Sequence, residues 1–207
     1  MDATENTPLR AVALVCTLSP SPARSSSELL ARQTLDALAE HGVTGKTVRI
    51  ADHDVKTGVA TDLGGGDAWP DIRETILGTD ILILATPIWL GHPSSLAQRV
   101  MERLNAEIGE SDDEGRMLTY GKVAAVCVVG NEDGAHKVSA DLFQGLNDVG
   151  FSLAPNAVTY WVGEAMQGTD YQDLDKTPEK TAATTKTLAA NTAHLARRLK
   201  RSEYPPA

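Results

Sequence analysis

Aromatic side chains are scarce in this sequence: two Phe, four Tyr and three Trp in 207 residues. Cysteine is scarcer, and both Cys16 and Cys127 lie inside apolar, strand-like runs. Two isolated thiols without a Cys/His cluster argue against an iron–sulfur centre or a zinc site, and they fit a reducing compartment. No apolar run approaches the ~20 residues that a spanning helix needs. Met1 to Arg10 is polar and lacks the apolar core of a secretory signal, so a cytoplasmic protein is expected. Excess positive charge is missing as well. A formal net charge of −9 disfavours nucleic acid and anionic membranes as partners. Two nucleotide fingerprints are absent: there is no G-x-x-x-x-G-K-[ST], and no G-x-G-x-x-G follows the first strand-like run. No Ser-His-Asp or Cys-His arrangement stands out, so no catalytic nucleophile and no metal ligand are assigned.

What is present is an alternation. The composition, 42% hydrophobic and 23% charged, fits one α/β domain over 1–207, with residues 1–8 as a disordered tail. Arg10 to Cys16, Val43 to Ala51, Asp80 to Leu84, Lys122 to Val129 and Phe151 to Trp161 read as five strands, the last broken at Pro155. Helical spacing follows each of them. It appears at Leu30, Thr34, Leu38 and His41 before Gly42, and in a short stretch from Asp71 to Leu77. It returns at Leu96, Val100 and Leu104, then at Val138, Leu142, Leu146 and Val149 before Gly150. Thr177-Pro178 reads as cap and first residue of a last helix with a stripe of Leu188, Leu195 and Leu199. Glu107 to Gly115 reads as an acidic, mobile linker. Such an alternation implies a parallel sheet covered on both faces. With the most hydrophobic runs central, the expected order is 2-1-3-4-5. That order puts the third strand between Cys16 and Cys127, so a disulfide between them is not expected.

In open α/β sheets, ligands bind beyond the carboxyl ends of the strands. Three loops fall there. Thr17 to Ser27 carries six hydroxyls and one cation, Arg24, and leads into a helix. Helix starts offer free N–H groups and a partial positive charge, so the loop can cradle a phosphate; it can equally be a Ser/Pro-rich surface turn with Ser25 or Ser26 as N-cap. Ala85-Thr86-Pro87-Ile88-Trp89-Leu90-Gly91-His92-Pro93 follows the third strand, and Trp89 there is either a platform for a flat ligand or a plug over the core. Gly130 to His136 follows the fourth strand as a polar turn. His136 in it is a ligand or a solvent-facing first-turn residue, and Glu132 and Asp133 read as solvated turn residues.

These three stretches together resemble the flavodoxin-like NAD(P)H-dependent FMN reductases and quinone reductases, over Val12 to Met166. Ser19-Pro20 with Ser25 to Leu30 is similar to the family's serine-rich phosphate loop, although Thr17-Leu18 stands where its common G-S-x-R form has Gly, and Pro22 lengthens the loop. Thr86-Pro87-Ile88-Trp89-Leu90-Gly91 resembles its T-P-[IV]-[YW]-x-G loop, and Gly130 to His136 its third flavin-contacting loop. The resemblance implies FMN as cofactor and NAD(P)H as co-substrate. Ser19, Ser25, Ser26 and Ser27 would bind the phosphate, and Pro87, Ile88, Trp89, Leu90 and Gly91 would line the isoalloxazine. Asn131, Gly134, Ala135 and His136 would serve its pyrimidine edge. Trp161, Met166 and Tyr171 are left open between capping a neighbouring subunit's flavin and ordinary core or loop roles. The implied activity is hydride transfer through flavin N5 to a small, flat acceptor such as a quinone, free flavin or azo compound, in a homodimer or homotetramer. The alternative is a flavodoxin-type electron carrier.

Overall fold

The computed structural model describes residues 8–165 and 167–206. The tail expected at 1–8 therefore lies outside the described residues except for Pro8, as does Met166. In chain order the elements are β1 (Leu9–Val15), α1 (Ser26–Ala39), β2 (Val43–Arg49), α2 (Trp69–Leu77), β3 (Ile81–Trp89), β4 (His92–Pro93), α3 (Ser95–Leu104), β5 (Val123–Gly130), α4 (Ala135–Asp148), β6 (Ser152–Val162) and α5 (Glu179–Arg201). Short 3-10 turns at Ile50–Asp52, Asn105–Gly109 and Tyr171–Asp173 complete the chain.

Five strands pair in parallel in the order β2-β1-β3-β5-β6, and two-residue β4 folds back antiparallel onto β3. The order expected from the hydrophobic runs is the one found, with β5 and β6 as the fourth and fifth long strands. Side chains alternate across the sheet, so each strand feeds two cores. Val12, Leu14, Leu82, Leu84, Val126 and Val128 face α2, α3 and α4. Ala13, Val15, Ile83, Ala85, Ala125 and Val129 face α1 and α5. Cys16 and Cys127 are both buried and free, with β3 between their strands. Burial pushes both thiols up, Cys127 to about 12, so neither is a thiolate near neutral pH.

Several local expectations are corrected. β3 does not stop at Leu84 but runs on to Trp89. β1 ends at Val15, opposite Ala85, so beyond that point β3 has a parallel neighbour on its β5 side only. Pro87, which has no N–H to give a ladder, is tolerated there, and β4 pairs with the strand's last residues. The second strand ends at Arg49, and α2 begins two residues earlier than expected, at Trp69. Glu107 to Gly115 is no loose linker. Glu107 is buried and its carboxylate accepts from Arg73 at 2.6 and 3.0 Å. Pro178, not Thr177, is the N-cap of α5, and Thr177 Oγ1 instead accepts from Gln33 Nε2. Of the three leucines expected on the α5 stripe, Leu188 alone is fully buried. Thr181, Thr185, Ala189, Thr192, Ala193 and Ala196 make up the rest of that buried face, and their small side chains let the helix lie close to the sheet.

The long Gly- and Asp-rich segment between β2 and α2 has little regular structure, and buried ionic chemistry holds it. Arg103 of α3 donates to the carbonyls of Ala60 and Lys56, both at 3.0 Å, and pairs with Asp67 at 2.7 Å, both side chains fully buried. Its guanidinium also lies over the Trp69 ring, 5.5 Å from the centroid. Burial alone would raise the Asp67 carboxyl. Arg103 and the N–H groups of Lys56, Trp69 and Leu63 outweigh it and bring the group from 3.8 down to about 2. A folded-state value below the unfolded one stabilises above the unfolded value, and the stabilisation is lost as the pH falls toward the folded value. Asp67→Asn leaves Arg103 buried without its counter-charge. It is expected to lower the unfolding free energy at pH 7 by about 3 kcal/mol. It should also flatten the decline in stability between about pH 4 and pH 2. Urea unfolding from pH 7 to pH 2 measures both; a variant as stable as the parent with an unchanged acid limb would contradict the assignment.

Candidate functional site

The serine loop is held from beneath. Arg49, buried at the end of β2, donates to the carbonyls of Ser19 at 3.3 Å and Ala23 at 2.8 Å, and pairs with Glu28. Burial pulls the Glu28 carboxyl upward, but bonds from Arg32 and Arg49 prevail and hold it below its ordinary value. Asp52 fixes the loop's outer arm by accepting from the Ser21 N–H at 2.6 Å and its hydroxyl at 2.7 Å. Ser25 is the N-cap of α1, its Oγ accepting from the Glu28 N–H at 3.2 Å. Ser26 and Ser27 are the first two helical residues, where N–H groups have no partner inside the helix. The loop is therefore both an N-cap and a preformed donor site; the two readings of the sequence are one structure.

The second loop is a hairpin. Trp89 pairs with His92, and Leu90 and Gly91 between them have φ of +52° and +73°. Two central residues with positive φ are the requirement of a two-residue type I′ turn. Thr86, buried, accepts from the Ser94 N–H at 3.0 Å, and the Ser94 hydroxyl donates to the Cys16 carbonyl at 2.6 Å. Ser94 also caps α3 by accepting from the Ala97 N–H at 3.1 Å. One buried hydroxyl chain thus ties the hairpin to the point where β1 enters the serine loop. The hairpin tip rests on the third loop: a Cβ at Gly134 would stand 2.9 Å from the Gly91 Cα.

The third loop and the segment before α5 close the outer wall. Asn131 Nδ2 donates to Asp170 at 2.9 Å. Arg24 reaches over to Asp173 at 2.7 Å and to the Gln172 carbonyl at 2.6 Å. The Gln172 N–H donates to Ser26 Oγ at 3.3 Å. Tyr171 is buried, its hydroxyl donating to Gln33 at 2.5 Å and its ring tilted against Trp161 at 5.5 Å.

These pieces enclose a cavity of about 550 Å³ at the carboxyl rim of the sheet. Of the residues expected at a site, Ser19, Ser25, Ser26, Ser27, Pro87, Ile88, Trp89, Leu90 and Asn131 line it. Gly91, Gly134, Ala135 and His136 do not. Gly91 and Gly134 are spent on the contact between hairpin and helix start, and Ala135 is buried in the first turn of α4. His136 turns to the Tyr160 hydroxyl at 3.1 Å and meets that ring edge-on. Trp161 and Tyr171 line this chain's own cavity. Sequence reasoning missed Gln172, and it placed Glu132 in solvent. Both line the cavity, and Asn131 Oδ1, Glu132 Oε1 and Gln172 Oε1 are buried without a hydrogen-bond partner among the described residues. Three orphaned acceptors on one wall ask for a ligand rich in N–H or O–H donors. No period marks such residues; only the 40-residue separation of Glu132 from Gln172, closed by the fold, brings them together. Among the described residues no group of three or more His, Cys, Asp or Glu could hold a metal, and no helix is long and apolar enough to cross a membrane.

The chain is similar to known proteins along most of its length. The family described as NADPH-dependent FMN reductase matches residues 9–167. The 8-demethyl-8-aminoriboflavin-5'-phosphate synthase of Streptomyces davaonensis is 34% identical over 208 residues, covering 95% of this chain and 80% of that protein. The crystal structure of RosB with its bound intermediate, 8-demethyl-8-formylriboflavin-5'-phosphate, superposes with a TM-score of 0.85 at 34% identity, over 95% of this chain and 82% of that one. A Mycobacterium bovis protein named divalent metal cation transporter MntH is 35% identical over 199 residues, 93% of this chain, but the chain spans only 29% of that protein's length. By the span of the family match and by these likenesses, the chain belongs to the NADPH-dependent FMN reductase family and is an FMN-containing, NAD(P)H-dependent oxidoreductase.

Proposed function

We propose that the rim cavity holds FMN and that the chain uses it to carry hydride from NAD(P)H to a small, flat acceptor: a quinone, a free flavin or an azo compound. The observation supporting this is the convergence of serine loop, Trp89 hairpin and Asn131 turn on a single cavity. The residues fit the cofactor. Ser25 and Ser26 already accept one bond each, so their hydroxyl protons are free to point at a phosphate together with Ser19, Ser27 and the first N–H groups of α1. Pro87, Ile88 and Trp89 offer an apolar wall to the ring. The orphaned oxygens of Asn131, Glu132 and Gln172 match the ribityl hydroxyls and the ring N3–H. When bound, FMN supplies the redox chemistry, taking hydride at N5 and giving electrons to the acceptor. The protein binds, orients and limits water at the ring. Gly91, Gly134, Ala135 and His136 brace this arrangement from outside the cavity. A single cytoplasmic domain, assembled as a homodimer or homotetramer, completes the proposal.

A second reading makes the flavin itself the substrate. It is favoured by the likeness to the aminoriboflavin-phosphate synthase and by the buried Glu132 carboxylate oxygen, a hydrogen-bond acceptor without a partner among the described residues at the cavity wall. Mass spectrometry of FMN after aerobic incubation separates the two, since a reductase returns it unchanged.

Protein mixed with FMN is expected to retain bound flavin absorbance through gel filtration, and NADH or NADPH added anaerobically should bleach it. Protein that takes up no flavin would defeat the proposal. Trp89→Ala should weaken FMN binding about tenfold, the worth of one aromatic contact. Arg49→Met leaves Glu28 paired with Arg32 but takes the buried donor from the Ser19 and Ala23 carbonyls and frees the serine loop. It should lower stability by about 2 kcal/mol and weaken FMN more than it weakens riboflavin, as titration calorimetry would show.

A further inference from the structure

Among the described residues that line the rim cavity Arg24 is the one cation, and it is already engaged. Its guanidinium donates to the Asp173 carboxylate at 2.7 Å and to the Gln172 carbonyl at 2.6 Å. Two further carboxylates, Glu132 and Asp170, stand on the same lining. A phosphate dianion in the serine cradle therefore meets a wall where carboxylates outnumber cations, and the single guanidinium is neutralised beforehand. Serine hydroxyls and the first N–H groups of α1 can still hold it, because they are donors that carry no counter-charge. The ion pair is a weak brace of the fold. Its side chains are 68% and 42% exposed, and an exposed pair contributes about 0–1 kcal/mol. The segment it joins also has other anchors. Asp170 accepts from Asn131 at 2.9 Å, the Tyr171 hydroxyl donates to Gln33 at 2.5 Å, and the Gln172 N–H donates to Ser26 Oγ at 3.3 Å. A charge pair that adds little to the fold and stands beside the cradle acts on the ligand instead.

We propose that Asp173 is a specificity-determining residue. By occupying Arg24 it withholds the cavity's cation from the flavin phosphate, narrows the preference for FMN over riboflavin and keeps the flavin exchangeable. The inference rests on the cofactor reading above and goes beyond it, since it concerns how tightly the phosphorylated end is held and not whether the ring binds. The carboxylate acts in two ways of one sign. It competes with the phosphate for the guanidinium N–H groups, and its own charge repels a neighbouring dianion. Riboflavin carries no phosphate, so neither effect reaches it.

Titration calorimetry of flavin-free protein, with FMN and with riboflavin as probes, tests this. Asp173→Asn should tighten FMN about three- to fivefold, the scale of one screened unit charge beside a dianion, and leave riboflavin unchanged. The gain should shrink in about 1 M salt, where screening is nearly complete over such distances. Asp173→Glu should keep the parent's ratio. Arg24→Gln should weaken FMN and again spare riboflavin. Thermal midpoints of Asp173→Asn and Arg24→Gln should stay within about 3 °C of the parent's, as loss of one exposed pair predicts. FMN affinity unchanged or weakened by Asp173→Asn would overturn the proposal; weakening would mean that the carboxylate orients Arg24 toward the phosphate. Equal shifts for both flavins, or a midpoint lowered further, would make the pair a brace of the wall and overturn it as well. Those failures leave flavin binding itself intact. Protein that takes up neither flavin would defeat the cofactor reading, and this inference with it.

Discussion

A buried chain of hydroxyls, from Thr86 through Ser94 to the carbonyl of Cys16, sets the geometry on which the cavity depends. Parallel strands deliver their loops to one rim, but they do not fix how the loops stand against each other. Here the return arm of the hairpin, the cap of α3 and the exit of β1 share one serine. Each of its polar contacts lies in the protein interior, where an unmade hydrogen bond costs about 1–3 kcal/mol. The hairpin and the serine loop therefore cannot drift apart without exposing a penalty. Arg49 does the corresponding work from the other side, spending its buried charge on two loop carbonyls and Glu28. A site fixed in this way before its ligand arrives loses little entropy on binding.

Polar atoms are divided between two tasks. Those beneath the cavity, such as the Ser94 hydroxyl and the terminal nitrogens of Arg49, are paired within the protein and hold the frame. On the outer wall, Asn131, Glu132 and Gln172 each keep one acceptor oxygen unpaired. Arg24 shows the border between the two: a cation next to the serine cradle, it is occupied by Asp173 and the Gln172 carbonyl. It ties the segment before α5 over the cradle, so the same residues that would meet a ligand also close the wall around it.

The sheet was legible because hydrophobic runs of strand length, interrupted by helical spacing, leave few topologies open. Val12 to Val15, Ile81 to Leu84 and Val123 to Val129 are buried on both sides, as their composition implies. What failed was local and has tertiary causes. Pro87 reads as the end of a strand, yet it sits inside one, because β1 stops at Val15 and leaves that side of β3 free. Glu107 reads as part of an acidic linker, yet it is buried, because Arg73 reaches it from α2. Thr181, Thr185 and Thr192 carry a helix face where leucines were expected, since close packing on the sheet rewards small volume over hydrophobicity. At the site, the loops that carry strong local chemistry were found, whereas Glu132 and Gln172 have meaning only through each other's company.

The buried thiols narrow what the cavity can do. Cys16 and Cys127 are enclosed and held protonated, so the sulfur chemistry available to the chain stays out of reach of any substrate. Among the described residues lining the cavity, hydroxyls, amides, the carboxylates of Glu132 and Asp170, the Arg24 guanidinium, apolar side chains and aromatic rings remain. None of these carries electrons at ordinary potentials, so a redox reaction there must run through a bound ring, with the protein deciding which molecules may approach it. A fold that spends its internal polar bonds on holding such a ring leaves the outcome to the few side chains at the mouth. Conserving such a frame is compatible with different outcomes at the ring, because the residues beneath the cavity are committed to the fold while the exposed rim and the unpaired wall are left to meet the ligand.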